Sequence, residues 1–271
     1  MKLGIRFIFI VLALMLSGVI LSALLISTLQ VLDLEQILLL KLGQLISAVC
    51  IFLLPPIFAT KFFFGNIQAF LDIKKVDFRK LILSAIFIII AIPAIDMFSK
   101  INQNLHFPEF LSGIERWARE QESIMTETTK LLLSGNSFGD LFLNIIVIAA
   151  VAAISEEVLF RGFIQNILRR KINAHIAIWI TAIVFSAIHL QPLGFIPRML
   201  LGAGLGYLAY YSGSIIPSII AHFTNNAIAV LLYFYFQTEE YNIFEGNKIY
   251  IAGIVSLLLA ISTLLYFKKN K

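Results

Sequence analysis

Runs of about 20 consecutive apolar residues recur along this chain. They constrain it more than any other feature, because a helix of that length crosses the hydrocarbon core of a bilayer. Candidate spans lie near residues 7–29, 34–58, 80–98, 141–168, 174–190, 195–211, 214–236 and 249–267, the fifth and sixth being the shortest. Their length favours helices over barrel strands, which need only about 10 alternating residues. Of the 271 residues, 59% are hydrophobic and 14% charged, with a mean hydropathy of +0.91. Soluble domains carry about 25% charged residues, and a chain of this size cannot hide so much apolar surface from water. The expected fold is therefore an all-α, polytopic membrane helix bundle of about eight transmembrane helices, with membrane lipid as its first partner.

The net charge of +5 does not point to nucleic acid, because the basic residues sit in short blocks at the ends of apolar runs. Lys2 and Arg6 precede the first span. Lys61, Lys74, Lys75, Arg79 and Lys80 lie between the second and third or open the third. Arg169, Arg170 and Lys171 follow the fourth, and Lys268, Lys269 and Lys271 follow the last. With eight spans all four blocks fall on one side, while the Asp33–Glu35 turn and Glu239, Glu240 and Glu245 fall on the other. The positive-inside rule then puts both termini in the cytoplasm, in a cell (inner) membrane. The first apolar run outlasts a signal-peptide core and no cleavage-site pattern comes after it, so it reads as a span. The single cysteine, Cys50, provides neither a disulfide framework nor a cysteine-rich zinc site and reads as a small core residue.

The chain divides into three regions: residues 1–98 with the first spans, a polar stretch at 99–138, and 139–271 with the remaining helices. Within the polar stretch, Pro108 to Leu133 places Ile114, Trp117, Ile124 and Leu131 at roughly helical spacing among Glu and Arg residues. This reads as an amphipathic helix lying in the membrane interface, with a small soluble subdomain as the alternative.

Ionisable groups inside a bilayer are costly, and each is a functional candidate. Lys41, Asp96 and Arg198 lie near predicted helix ends and are expected to snorkel. The group in the fourth span differs. Ser155-Glu156-Glu157-Val158-Leu159-Phe160-Arg161 puts two adjacent carboxylates well inside an apolar helix. Glu157 and Arg161, at i and i+4, can pair on one face. Glu156 lies about 100° round the helix, without a cation close in sequence. A buried carboxylate so placed is suited to general acid–base work near neutral pH. Phe185 and His189 share a face of the fifth span, as do His222 and Asn226 of the seventh. His106 and His175 are expected to face solvent. At about 1.5 Å per residue, Glu156 lies roughly 20 Å from Arg169, His189 roughly 22 Å into its span and Asn226 about 18 Å, but His222 only about 12 Å.

These residues form three motifs in order: EEVLFR, FSAIH and HFTNN. They resemble the EExxxR, FxxxH and HxxxN motifs of the CPBP family, the CAAX proteases and bacteriocin-processing (Abi) enzymes, which is similar to the type II CAAX prenyl endopeptidase. The resemblance covers roughly residues 140–235. It implies an intramembrane glutamic endopeptidase acting on a membrane-associated peptide or lipidated protein. Glu156 would activate water together with His189. His222 and Asn226 would polarise the scissile carbonyl and stabilise the oxyanion, with Glu157, Arg161 and Phe185 in support.

No cofactor is expected. Zinc is a chemical alternative, since His and Glu are ligands, but no HExxH helix is present and the metal-free reading is preferred. Two other classes compete with the protease: a non-catalytic scaffold or bacteriocin-immunity factor of the same fold, and a proton-coupled transporter in which Glu156, His189 and His222 relay protons. Gly202 and Gly206 form a GxxxG pair inside a span, expected to admit a close helix neighbour rather than a dinucleotide.

Overall fold

A computed structural model describes residues 5–32, 34–104, 108–237, 244 and 246–270, with side chains from Ile10 onward. Among them there is no strand. In chain order the helices are α1 (Ile5–Gln30), α2 (Gln36–Phe64), α3 (Phe78–Gln103), α4 (Ser112–Leu133), α5 (Phe138–Arg169), α6 (Ala174–Ala187), α7 (Phe195–Ser212), α8 (Ile216–Phe236) and α9 (Lys248–Lys269).

Six of these, α1, α2, α3, α5, α8 and α9, are long and apolar enough to cross a membrane. The other two expected spans are the α6–α7 pair. Helix α6 has only 14 residues, and α7 carries Arg198, three glycines and three tyrosines. The two run antiparallel in close contact: a Cβ on Gly202 would meet Ala182, and one on Gly206 would meet Ile178. Because they go and return as a pair, the chain re-emerges on the same side whether six or eight helices are counted. The chain is an integral membrane protein. Its outer helices expose the apolar residues that lipid would cover, such as Leu12, Leu16 and Leu24 on α1 and Ile251, Leu258 and Leu265 on α9.

Close approach packs the rest. A Cβ at Gly18 of α1 would overlap the backbone carbonyl of Cys50, which is buried as expected. Gly253 of α9 similarly admits Met97 of α3. Pro93 lies inside α3, and Ser256 of α9 inserts into the neighbouring ladder, accepting from the Ala94 N–H at 3.1 Å and donating to the Ile90 carbonyl. A side chain inserted beside a proline restores hydrogen bonds that lipid cannot supply. One apolar core joins Leu71, Phe160, Phe163 and Phe185; another joins Ile88, Leu205, Leu208 and Phe267.

Three basic blocks meet at one end of the bundle. Arg169 and Lys74 both pair with Asp72, Ser214 at the α7–α8 turn donates to the Lys74 carbonyl at 2.7 Å, and Lys80 donates to the Asn270 carbonyl at 2.9 Å. His175, exposed as expected, reaches the Tyr207 hydroxyl at 3.1 Å. His106, Asp33, Glu239, Glu240 and Glu245, like Lys2 and Lys271, lie outside the described residues.

Two charges expected to snorkel do not. Lys41 is 1% exposed; its Nζ donates to the Ser134 carbonyl at 3.0 Å and stands 3.9 Å from Asp140. The opening of α5 covers it, so its charge is met inside the protein rather than at the lipid surface. Arg198 turns inward, towards Gln191 and the glutamates, while Asp96 is half-buried. Helix α4 occupies the expected amphipathic stretch. It packs on the bundle through Ala118 and Leu133 and leaves Ile114, Trp117, Ile124 and Leu131 about half exposed.

Candidate active site

Helix α5 carries the glutamates on a short regular stretch, Ala152–Glu157, flanked by π-helical stretches Ile145–Val151 and Val158–Gln165. Glu157 is fully buried. Its Oε1 accepts from Arg161 Nη1 at 2.5 Å, the i, i+4 pair expected from the sequence. Arg161, also buried, donates through Nη2 to the Gly202 carbonyl at 2.8 Å and lies 4.6 Å from the Phe185 ring. One turn further on, Gln165 donates to the Gly206 carbonyl at 3.1 Å. The GxxxG pair therefore does more than admit a neighbour. Without side chains at 202 and 206, two carbonyls of α7 stand open to receive donors from α5.

The same Glu157 oxygen receives His222 Nδ1 of α8 at 2.9 Å. A carboxylate only accepts, so Nδ1 carries a proton and Nε2 points away from Glu157. That nitrogen faces Glu156 Oε2 at 3.8 Å. Glu156 thus has a titratable neighbour from another helix, although none is close in sequence. The distance is too long for a direct hydrogen bond. Oε2 makes no hydrogen bond within the protein, and the side chain is 17% exposed.

His189 follows the end of α6. Its Nδ1 lies 2.7 Å from the Phe185 carbonyl, which fixes the proton there and leaves Nε2 as the acceptor. The next residue, Leu190, has φ of +53°, and its side chain is exposed. This strained position lies immediately beside a candidate catalytic residue, as such positions tend to. The rings of His189 and His222 both pack edge-on to Phe185, at centroid distances of 5.0 and 5.8 Å. Phe185 therefore spaces the two imidazoles as well as covering Arg161. Asn226, one turn from His222, donates to the Ile148 carbonyl at 3.1 Å and accepts from Asn225 at 3.2 Å. Ile148 lies in a π-helical stretch, where the regular backbone ladder is broken and its carbonyl can take a side-chain donor. One amide proton of Asn226 is left over.

The shallower count for His222 does not keep it from the glutamates: its ring reaches Glu157 at 2.9 Å and Glu156 at 3.8 Å.

Arg198, near the start of α7, is, with Lys41, one of the two charged residues the sequence misplaced. Its Nη2 donates to Gln191 Oε1 at 2.5 Å, and its electrostatic neighbours are Glu156 and Glu122 of α4. Burial raises the Glu122 pKa above the ordinary carboxylate value, partly offset by Arg198 and by the nearby Leu193 backbone N–H. Among the described residues no three or more His, Cys, Asp or Glu side chains are grouped to hold a metal ion. Glu157 Oε1 and His222 Nδ1 are spent on each other, so neither is open to a metal ion.

Comparison with known proteins adds a family to this geometry. Residues 138–228 match the type II CAAX prenyl endopeptidase Rce1-like family. The match starts with α5 and ends just beyond Asn226, so it contains Glu156, Glu157, Arg161, Phe185, His189, His222 and Asn226. The family named by the three motifs and the family matched by this segment are the same. No curated protein and no solved structure matches the chain.

Proposed function

We propose that the chain is an intramembrane endopeptidase that hydrolyses a peptide bond of a membrane-associated or lipidated protein, with Glu156 as the base that activates water. The observation that carries this reading is the division of labour between the adjacent glutamates. Glu157 is consumed by Arg161 and His222, whereas Glu156 Oε2 has no hydrogen bond within the protein and faces an imidazole 3.8 Å away. A polar gap of that width suits a third group, such as water or a peptide carbonyl.

In this mechanism Glu156 takes the proton of the attacking water. His189, whose Nε2 is free, orients that water by accepting a hydrogen bond from it, and the proton taken by Glu156 passes to the leaving amine as the C–N bond breaks. Asn226, with its remaining amide proton, and His222, held by Glu157 through Nδ1 and donating from Nε2 in its protonated form, meet the charge developing on the carbonyl oxygen. No metal is used. We assign both termini to the cytoplasmic side from the positive-inside pattern of the basic blocks, three of which meet at one end of the bundle.

The test is cleavage of a farnesylated CAAX-type peptide by purified protein in detergent, read by mass spectrometry. The wild type should release the C-terminal fragment and Glu156→Gln should not. Cleavage by Glu156→Gln at the wild-type rate would remove Glu156 from its role. A comparison of membrane proteomes with and without the chain would identify natural substrates by their new termini.

A further inference from the structure

Arg198 is expensive where it stands. It sits in the first turn of α7, where the partial positive charge of the helix end disfavours a cation. It is half-buried, and its Nη1 is buried without a hydrogen bond in the protein. Its one hydrogen-bonded side-chain partner is the neutral Gln191. The two acids nearby, Glu122 and Glu156, each keep an Oε2 that is buried and makes no hydrogen bond. Three buried polar atoms of complementary charge, none of them hydrogen-bonded, therefore lie within electrostatic reach of one another around Arg198, each group costly to bury unpaired.

We propose that Arg198 receives a carboxylate of the substrate next to the scissile bond, and that Glu122 of α4 holds that place until substrate arrives. The inference rests on the protease reading of Glu156. A planar guanidinium with an open nitrogen takes a carboxylate in a two-pronged hydrogen bond, which a neutral amide cannot match. Exchange of the Glu122 carboxylate for the substrate's leaves the local charge unchanged, so Arg198 is never left without a counter-ion.

The surroundings favour such an exchange. Helix α4 packs here on the Pro192–Gly194 turn between α6 and α7, which Asn102 of α3 also grips through the Pro192 and Leu193 carbonyls. A crevice of about 300 Å³, lined by Arg119, Glu122, Ser123, Glu127, Lys130 and Leu193, opens along the polar side of α4. It reaches Glu122 from the aqueous side. The carboxylate could be a peptide C-terminus or an acidic side chain.

Binding to the Glu156→Gln protein, which retains Arg198, tests this without relying on cleavage. The probes are a dye-labelled farnesylated peptide ending in a free carboxylate, the same peptide as its C-terminal amide, and the amide with glutamate as its last residue. The free acid should bind about tenfold to a hundredfold more tightly than the amide, the range for a hydrogen bond to a charged group. Adding Arg198→Gln should bring acid and amide to within about twofold, Arg198→Lys should retain part of the preference, and Glu122→Gln should tighten the acid alone. A merely structural Arg198–Glu122 contact would leave the acid-to-amide ratio unmoved. If the glutamate-ended amide binds as well as the free acid, the source is a side chain and the assignment of Arg198 stands. Equal binding of acid and amide, including failure of both to bind, overturns the proposal, as does a preference that survives Arg198→Gln. A protein that prefers the acid but cleaves neither peptide keeps this inference and loses the protease reading.

Discussion

Glutamine substitutions at positions 156 and 157 change the same atoms at neighbouring positions and should have opposite consequences. Glu157 is fully buried and is the counter-ion of Arg161, which is 1% exposed, at 2.5 Å. Breaking a buried pair by removing one partner costs about 3–5 kcal/mol, because the other charge is stranded. Glutamine keeps an oxygen that Arg161 can still use, so Glu157→Gln should fall near the lower end, about 3 kcal/mol. For a chain of this size that lowers Tm by about 6–12 °C. Glu156 has no such partner: its nearest titratable neighbour, His222 Nε2, is 3.8 Å away. Glu156→Gln should leave Tm within about 2 °C of the wild type while lowering kcat by about 10²–10⁴-fold, the usual worth of a general base. The assay is built into the sequence. Cys50 is the one cysteine and is 6% exposed, so a thiol-reactive dye reports unfolding in detergent. Equal destabilisation by both variants, or no destabilisation by Glu157→Gln, would refute the division of roles.

Four further outcomes are expected. Gly202→Ala would place a Cβ 3.1 Å from Phe185 and 3.3 Å from Arg161 Nη2, and should cost about 1–3 kcal/mol by overpacking, read as a lower Tm; Gly113→Ala, in open space, should not lower it. Burial raises the Glu122 pKa, so the folded state holds that proton more tightly than the unfolded state, and stability is lost as pH rises from the unfolded value through the folded one; the Tm difference between Glu122→Gln and wild type should therefore grow in the variant's favour from pH 5 to pH 8. Reporter fusions should place both termini in the cytoplasm, and an extracytoplasmic signal from either end would sink the orientation. Chelation should leave peptide cleavage unchanged; loss of activity with recovery on adding zinc, and stoichiometric zinc by elemental analysis, would overturn the metal-free mechanism.

Spacing along a single helix was legible in the sequence. Glu157 with Arg161, His222 with Asn226 and Phe185 with His189 are each i, i+4, and each pair is local. The amphipathic α4 was legible for the same reason. Contacts between helices were not, because they depend on which residue faces which across the bundle. Lys41 and Arg198 look like snorkelling side chains because their sequence neighbours are apolar, and only packing shows Asp140, Ser134, Gln191 and Glu122 opposite them. The link from His222 to both glutamates spans two helices and has no local signature. Nor do the π-helical stretches, two of which, Ala48–Leu53 and Ile145–Val151, are made of ordinary apolar residues. The clearest missed signal was Gln165: a polar side chain one turn beyond Arg161, opposite Gly206 one turn beyond Gly202, repeats the same docking contact.

These stretches also explain why so many polar side chains gather in one part of a lipid-embedded chain. A π-helical segment breaks the regular ladder, and in a bilayer no water stands ready to complete it. Helix α5 has two such segments around the glutamates, and α2 has another, Ala48–Leu53, packed close by. Side chains fill the gaps: Asn226 donates to the Ile148 carbonyl, and Asn166 donates to the carbonyls of Gly162 and Phe70, each at 2.8 Å. An irregular backbone inside the membrane thus requires nearby amide donors. Arg161 is held by Glu157 and by the open Gly202 carbonyl of α7, and His222 by the same Glu157 oxygen. The polar character of this region is therefore supplied in part by the backbone irregularity itself, and Glu156 stands apart as the carboxylate whose Oε2 this network leaves without a hydrogen bond.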